Sequence, residues 1–263
     1  MSMDTHIAAG TTGGRPLRAV VTGASSGIGL HCCKELLAQG WEVIGLDVAD
    51  HPLATPGSSA MHGLFRAINC DISHAPEVAS VFASIASDGR PLDALVCSAG
   101  ILRGGPVLSM SEQDFDAVFD INTRGSWLTA RAAVPLMRDS TRTHGARIVF
   151  VASAAAIRPK IGAGAYAASK VALIHLARVM AVELASSNIL VNVVAPATVD
   201  TPFVQRLPEG TAAYKVTGNS PLGRVAQTQD VVNAIRFLLD DGSSYMTGSV
   251  LTLDGGTTAA FVP

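Results

Sequence analysis

The run Leu17-Arg18-Ala19-Val20-Val21-Thr22 passes directly into Gly23-Ala24-Ser25-Ser26-Gly27-Ile28-Gly29, and a helical stretch over residues 30–39 follows at once. A strand that turns on glycines straight into a helix has few uses. The glycines let backbone approach a bound group, and the helix start behind them offers unpaired N–H groups and a partial positive charge, which together suit a pyrophosphate. Glycines in a turn also serve as plain connections. Their place between a strand and a helix is what makes this run a dinucleotide-binding fingerprint.

Further short aliphatic runs lie at residues 42–47, 92–98, 147–152, 190–195 and 250–253, separated by longer helical stretches. Runs that are apolar on both faces suit strands covered on either side, and intervening helices provide the crossovers. The pattern predicts an α/β fold: a single-domain, Rossmann-type doubly wound parallel sheet with helices on both faces. The composition fits a large aliphatic core, because 48% of the 263 residues are hydrophobic, 15% charged and only 5% aromatic. No repeat or composition shift marks a second domain. The expected organisation is a flexible N-terminal tail over residues 1–15 and one domain over 16–263. A substrate lid is expected at about 202–221, where prolines, glycines and the scattered polar groups Gln205, Arg206, Glu209 and Lys215 interrupt the alternation.

Several function classes are disfavoured. A net charge of -2, with no cluster of basic and aromatic residues, provides no attraction for nucleic acid. Cys32, Cys33, Cys70 and Cys97 lack metal-ligand spacing, so no metal site is expected and the thiols read as reduced. The first residues have no secretory pattern. The greasiest stretch, residues 171–185, carries His175, Arg178 and Glu183, so no membrane span is expected and the location reads as cytoplasmic.

In a doubly wound sheet the chemistry sits just beyond the carboxyl ends of the strands. Asp47 ends the second run at the distance where a carboxylate would accept hydrogen bonds from the adenosine ribose and repel a 2′-phosphate. With no Arg or Lys in the glycine turn or just after Asp47, the expected cofactor is NAD rather than NADP. Tyr166 and Lys170 stand four apart at the start of a helical stretch, on one face. An ammonium and a helix start beside a phenol favour the phenolate, which makes Tyr166 a candidate acid/base. Ser153 follows the run 147–152 and would reach the same edge, where its hydroxyl can hold a substrate oxygen.

The glycine run at 22–29, together with Tyr166-Ala167-Ala168-Ser169-Lys170, resembles the short-chain dehydrogenase/reductase family over nearly the whole chain after the tail. The resemblance implies hydride transfer between a nicotinamide cofactor and an alcohol or ketone. It implies that Gly23, Ser25, Ser26, Gly27, Ile28 and Gly29 hold the cofactor phosphates, that Asp71 and Ile72 contact the adenine ring, and that Ala99 and Gly100 lie against the adenosine ribose. Tyr166 and Lys170 would also touch the cofactor, Lys170 at the nicotinamide ribose. In the segment beginning at Pro196, the Val199 backbone and the Thr201 hydroxyl would hold the carboxamide. Asn122 would complete the catalytic set with Ser153, Tyr166 and Lys170 by supporting a helix kink and holding a water in a proton path to Lys170. Two departures stand out: Cys97-Ser98 replaces an Asn-containing pair that supports the central strand, and Ala197 replaces a glycine.

Two segments, Ala99-Gly100-Ile101-Leu102-Arg103 and the stretch from Arg158 to Tyr166, are similar to the 2,3-dihydro-2,3-dihydroxybenzoate dehydrogenase branch of that family. The similarity implies a small-molecule substrate, a carboxylated cyclohexadiene diol, whose carboxylate Arg103, Arg158 or Lys160 would pair. A 3-oxoacyl-thioester reductase or a sugar or polyol dehydrogenase would use the same catalytic set, and a non-catalytic NAD-sensing regulator would keep only the cofactor site. The helix after Tyr166 is apolar nearly all round. That pattern predicts a homo-oligomer, a dimer or tetramer, in which a second subunit covers its outer side.

Overall fold

The protein is described by a computed structural model in which residues 11–12, 14–54, 63–205 and 220–259 are placed. Seven parallel strands form the central sheet: β1 Arg18–Thr22, β2 Glu42–Asp47, β3 Phe65–Asn69, β4 Ala94–Cys97, β5 Ala146–Val151, β6 Ile189–Pro196 and β7 Val250–Leu253. Their order across the sheet is β3-β2-β1-β4-β5-β6-β7. The chain builds outward from β1 in one direction and then, from β4, in the other. A crevice therefore opens where the order reverses, at the carboxyl ends of β1 and β4, as doubly wound sheets require.

Alternate residues of β1 serve two cores. Ala19 and Val21 pack with Leu36 of α1 (Gly27–Ala38) on one face, together with Ile235 and Leu238 from the far end of the chain. Val20 packs on the other face with Phe82 of α2 (Ala75–Ala86). That second core also takes Leu128 and Met137 of α4 (Ser126–Met137) and Leu173 and Ala177 of α5 (Gly164–Leu184). Between α2 and α4 lies α3 (Glu112–Phe119), which continues through a π-helical turn, Asp120–Gly125, into α4 (Ser126–Met137). The long α5 spans Gly164–Leu184, a single turn α6 covers Pro202–Gln205, and α7 spans Thr228–Leu239.

Six of the strands fall on the predicted runs. The seventh, β3, pairs only with β2 at the sheet edge, and Arg66, Ala67 and Asn69 are exposed there. An edge strand need not be apolar on both faces, so it lacks the continuous run that marks the others. The expected N-terminal tail also ends sooner. Thr11–Thr12 pairs antiparallel with Arg15–Pro16, and the Arg15 guanidinium donates to both Asp93 carboxylate oxygens at 2.9 and 3.1 Å. Residues 1–10 of that tail and residues 206–219 of the expected lid lie outside the described residues.

α5 is long and apolar enough to cross a membrane by length and composition. Leu173, Ile174, Ala177 and Ala181 are nevertheless buried against the sheet, which marks it as a core helix of this domain. All four thiols are free and buried. Burial pushes Cys32 up to about 12 and Cys70 up to about 11, so these remain protonated and unreactive at neutral pH.

Candidate active site

A cavity of about 1090 Å³ opens along the carboxyl ends of the strands. Its first part is built on the glycine turn. Gly23 sits at φ +68°, and a Cβ there would lie 2.8 Å from the Ala99 backbone; a Cβ on Gly29 would lie 2.1 Å from the Gly23 carbonyl oxygen. The turn is thus pressed against the end of β4 and against its own helix start, with no room for a side chain at Gly23 or Gly29. Ser26 stands at the N-cap of α1 without a side-chain capping bond, which leaves the first-turn N–H groups available to an anion. This cradle fits the pyrophosphate of a dinucleotide.

Asp47 closes the same end. Its carboxylate accepts the Ser25 N–H at 2.9 Å and the Ala49 N–H at 3.0 Å, so it braces the loop that follows β2 against the glycine turn. Asp71, Ile72, Ala99, Gly100, Pro196, Val199 and Thr201 line the cavity with Gly23, Ser26, Gly27 and Ile28. Ser25 and Gly29 stand behind that lining, in the supporting backbone. The Thr22 hydroxyl accepts the N–H groups of Ser98 and Ala99, both at 3.2 Å. The end of β4 is thereby tied to β1 by a route that does not need the missing amide. Ala197 is accommodated because its backbone lies outside the left-handed region, and its N–H donates to Leu253 at 3.0 Å.

The other part of the cavity carries the groups expected to do chemistry. Ser153, two residues beyond β5, is buried at the N-cap of a short 3-10 turn, where its oxygen accepts the Ala155 N–H at 3.1 Å. Tyr166 lies in the first turn of α5, and its ring centroid is 5.9 Å from the Lys170 Nζ. Lys170 is buried and donates to the Val151 carbonyl at 2.9 Å. Burial brings its pKa down from 10.5 to about 8. The cation thus lies over the Tyr166 ring, near the start of the helix.

Asn122 sits in the π-helical turn and is fully buried. Its amide clamps residue 101 from both sides: Oδ1 accepts the Ile101 N–H at 2.8 Å, and Nδ2 donates to the Ile101 carbonyl at 3.0 Å. Nδ2 also donates to the Ser169 hydroxyl at 3.0 Å, next to Lys170. A Cβ on Gly100 would lie 3.0 Å from the Asn122 Oδ1 and 3.4 Å from the Lys170 Nζ, so both side chains converge behind Gly100. A π-bulge is a common device for re-aiming a side chain at a working site.

The three basic residues expected near substrate divide. Arg158 and Lys160 line the cavity. Burial lowers the pKa of Lys160. Arg103 does not line it: its Nε donates to Asp114 at 3.1 Å in an exposed ion pair on α3. The arginine lies only three residues beyond Gly100, but the chain has turned away from the crevice. From the two described ends of the expected lid, Phe203, whose ring centroid is 6.3 Å from that of Tyr166, and Ser220 and Pro221 line the cavity; sequence reasoning missed Thr257 and Thr258 in the same wall. The threonines follow β7, so the rule that sites lie beyond strand ends points to them as well.

A parallel sheet with a dinucleotide cradle and a Ser-Tyr-Lys group at its switch point defines a nicotinamide-dependent oxidoreductase. The chain belongs to the short-chain dehydrogenase/reductase family. Residues 23–258 match the family model described as enoyl-(acyl carrier protein) reductase. It is 34% identical over 239 residues to a 3-oxoacyl-[acyl-carrier-protein] reductase of Thermotoga maritima, covering 90% of this chain and 96% of that one. It is also 34% identical over 251 residues to 2,3-dihydro-2,3-dihydroxybenzoate dehydrogenase of Escherichia coli, covering 90% and 95%. Among solved structures, Thermoplasma acidophilum aldohexose dehydrogenase in ligand-free form superposes with a TM-score of 0.81 at 30% identity, covering 95% of this chain and 96% of that one.

Proposed function

We propose that the protein is an NAD-dependent dehydrogenase that interconverts a secondary alcohol and a ketone, with Tyr166 as the acid/base. The observation that carries this reading is the convergence of Ser153, Tyr166 and Lys170 on the cavity that the glycine turn and Asp47 also line. In oxidation, the Tyr166 oxygen takes the hydroxyl proton of the substrate while the Ser153 hydroxyl positions and polarises that oxygen. The Lys170 ammonium stabilises the phenolate that must exist beforehand. Asn122 is the positioning residue that fixes Ile101 and Ser169 around Lys170, and a water held beside it would carry protons onward. A bound nicotinamide supplies the hydride acceptor. Reduction reverses each proton movement.

Asp47 supports NAD over NADP. Its carboxylate is already oriented by two backbone N–H groups, and a 2′-phosphate would have to approach that charge. For substrate, the half-buried cation Lys160 in the cavity wall favours a molecule with a carboxylate, and a carboxylated cyclic diol meets both requirements. The site fits a small free molecule in the cytoplasm.

The test is NADH or NADPH formation across a panel of cyclic diols with and without a ring carboxylate, sugar alcohols and hydroxyacyl thioesters. The expected result is turnover of carboxylated diols with NAD and a loss of about tenfold or more in kcat/KM on Lys160→Ala, as for removal of a charge-assisted contact. Turnover confined to thioesters or sugars would retain the dehydrogenase and discard this substrate. No turnover with any alcohol would favour a cofactor-sensing role.

We also propose a homo-oligomer, dimer or tetramer, built on α5. Its Val171, Val179 and Val182 are exposed in the single chain, Val182 by 79%, and a second copy would remove this apolar side from water. Sedimentation at working concentration should return a multiple of the 27.1 kDa chain mass; a monomer mass would remove the proposal.

A further inference from the structure

We infer that Arg158 is a positioning residue that latches the C-terminal segment, residues 254–258, across the substrate end of the cavity, and that this segment selects substrates by size. The inference rests on the dehydrogenase reading above. Beyond β7 the chain folds back on itself around Asp254, which is buried. The Asp254 carboxylate accepts the N–H groups of Gly256 at 2.9 Å and Thr258 at 2.7 Å, and its carbonyl accepts the Thr257 hydroxyl at 2.7 Å. Gly255 and Gly256, at φ +58° and +91°, make the reversal in a region open to glycine. These bonds fix the shape of the loop. They do not fix where it stands, and because they close only a local reversal, how often they open depends on what holds the loop to the rest of the chain.

Among the described residues, its position is set from two sides by other parts of the chain. On one side it abuts Ser220, whose Oγ would lie 2.3 Å from a Cβ on Gly255. On the other, Arg158 Nη1 donates to the Thr257 carbonyl at 2.8 Å. Arg158 belongs to the stretch between Ser153 and Tyr166, so this bond joins the segment carrying the reacting groups to the loop that faces them. Thr257 and Thr258 line the same cavity as Ser153 and Tyr166, and the distance across the substrate end is therefore held by the latch. Arg158 then acts on substrate through the wall, and Lys160 supplies the charge that meets a carboxylate.

The test compares Arg158→Ala and Arg158→Lys with the wild type on a matched pair of cyclic alcohols, with and without a ring carboxylate, and on a bulkier bicyclic alcohol. Because the bond is charge-assisted but exposed, Arg158→Ala should raise KM about fivefold for both members of the pair while kcat and NADH affinity stay within about twofold. Discrimination against the bicyclic alcohol should fall, and Arg158→Lys should restore most of both effects. Amide exchange at Thr257 and Thr258, measured on the NAD-bound protein, should accelerate about tenfold in Arg158→Ala. A KM increase confined to the carboxylated alcohol would mean that Arg158 binds the carboxylate directly, and would overturn the inference. Unchanged exchange would overturn the latch whether or not any alcohol is turned over, which separates its failure from that of the dehydrogenase reading.

Discussion

Replacing Tyr166 by phenylalanine should lower kcat/KM by about 10³-fold, within the range that positioned acid/base groups contribute. NADH affinity and melting temperature should barely move. The substitution removes one oxygen and keeps the ring, so the packing beside Phe203 and the aromatic face near the Lys170 ammonium persist. With the hydroxyl gone, none of the other acid/base side chains among the described cavity residues stands ready to take the proton. Ser153 holds a substrate oxygen but has the pKa of an alcohol, and Lys170 is engaged with the Val151 carbonyl. An interaction made only as the proton moves lowers kcat when it is lost, with little change in KM. Rates within about tenfold of wild type in a folded Tyr166→Phe protein would take the acid/base role from Tyr166.

Much of this site is legible in the sequence because its geometry is local. The glycine turn, the Tyr166-Lys170 spacing and the placement of Ser153 directly after an apolar run each depend on a few adjacent residues and one element type. What was not legible depends on where distant segments meet. Arg103 reads as a cavity residue by its nearness to Gly100, but the chain between them turns outward and the side chain pairs with Asp114. Thr257 follows β7, where the strand-end rule would look for it, but its bond to Arg158, 99 positions earlier, is encoded by no local pattern. His31 lacks any motif partner in sequence, yet its ring nitrogens lie 2.7 Å from the Thr228 hydroxyl and 2.9 Å from the Gln229 amide oxygen, joining α1 to α7. The edge strand β3 escaped for the complementary reason. Its exposed residues are chosen for solvent, and periodicity alone does not separate them from a loop.

Lys170 ties the chemistry to stability, and both can be read from one substitution. Its pKa of about 8 against an ordinary 10.5 means that burial disfavours the cation, so the folded protein binds fewer protons than the unfolded chain between those values. A depressed pKa of this kind contributes stability fully above pH 10.5 and loses it as the pH falls towards 8, over a span worth about 3 kcal/mol. The unfolding free energy of Tyr166→Phe, compared with Tyr166→Phe/Lys170→Met, should therefore gain by about that amount from pH 8 to 10.5, because the phenol coupled to Lys170 is absent from both. A flat difference would mean that the ammonium is not desolvated. The same cation has the opposite value for activity. At pH 7.5 it is mostly charged, and the proposed mechanism has that charge favour the Tyr166 phenolate. Lys170→Met should accordingly cut alcohol oxidation by about 10²-fold, and the rate should recover towards pH 10 as the unaided phenol ionises. A variant whose rate loss is the same at every pH would assign Lys170 to binding alone. On the proposed mechanism, the cost of this buried charge at neutral pH is what keeps Tyr166 reactive there.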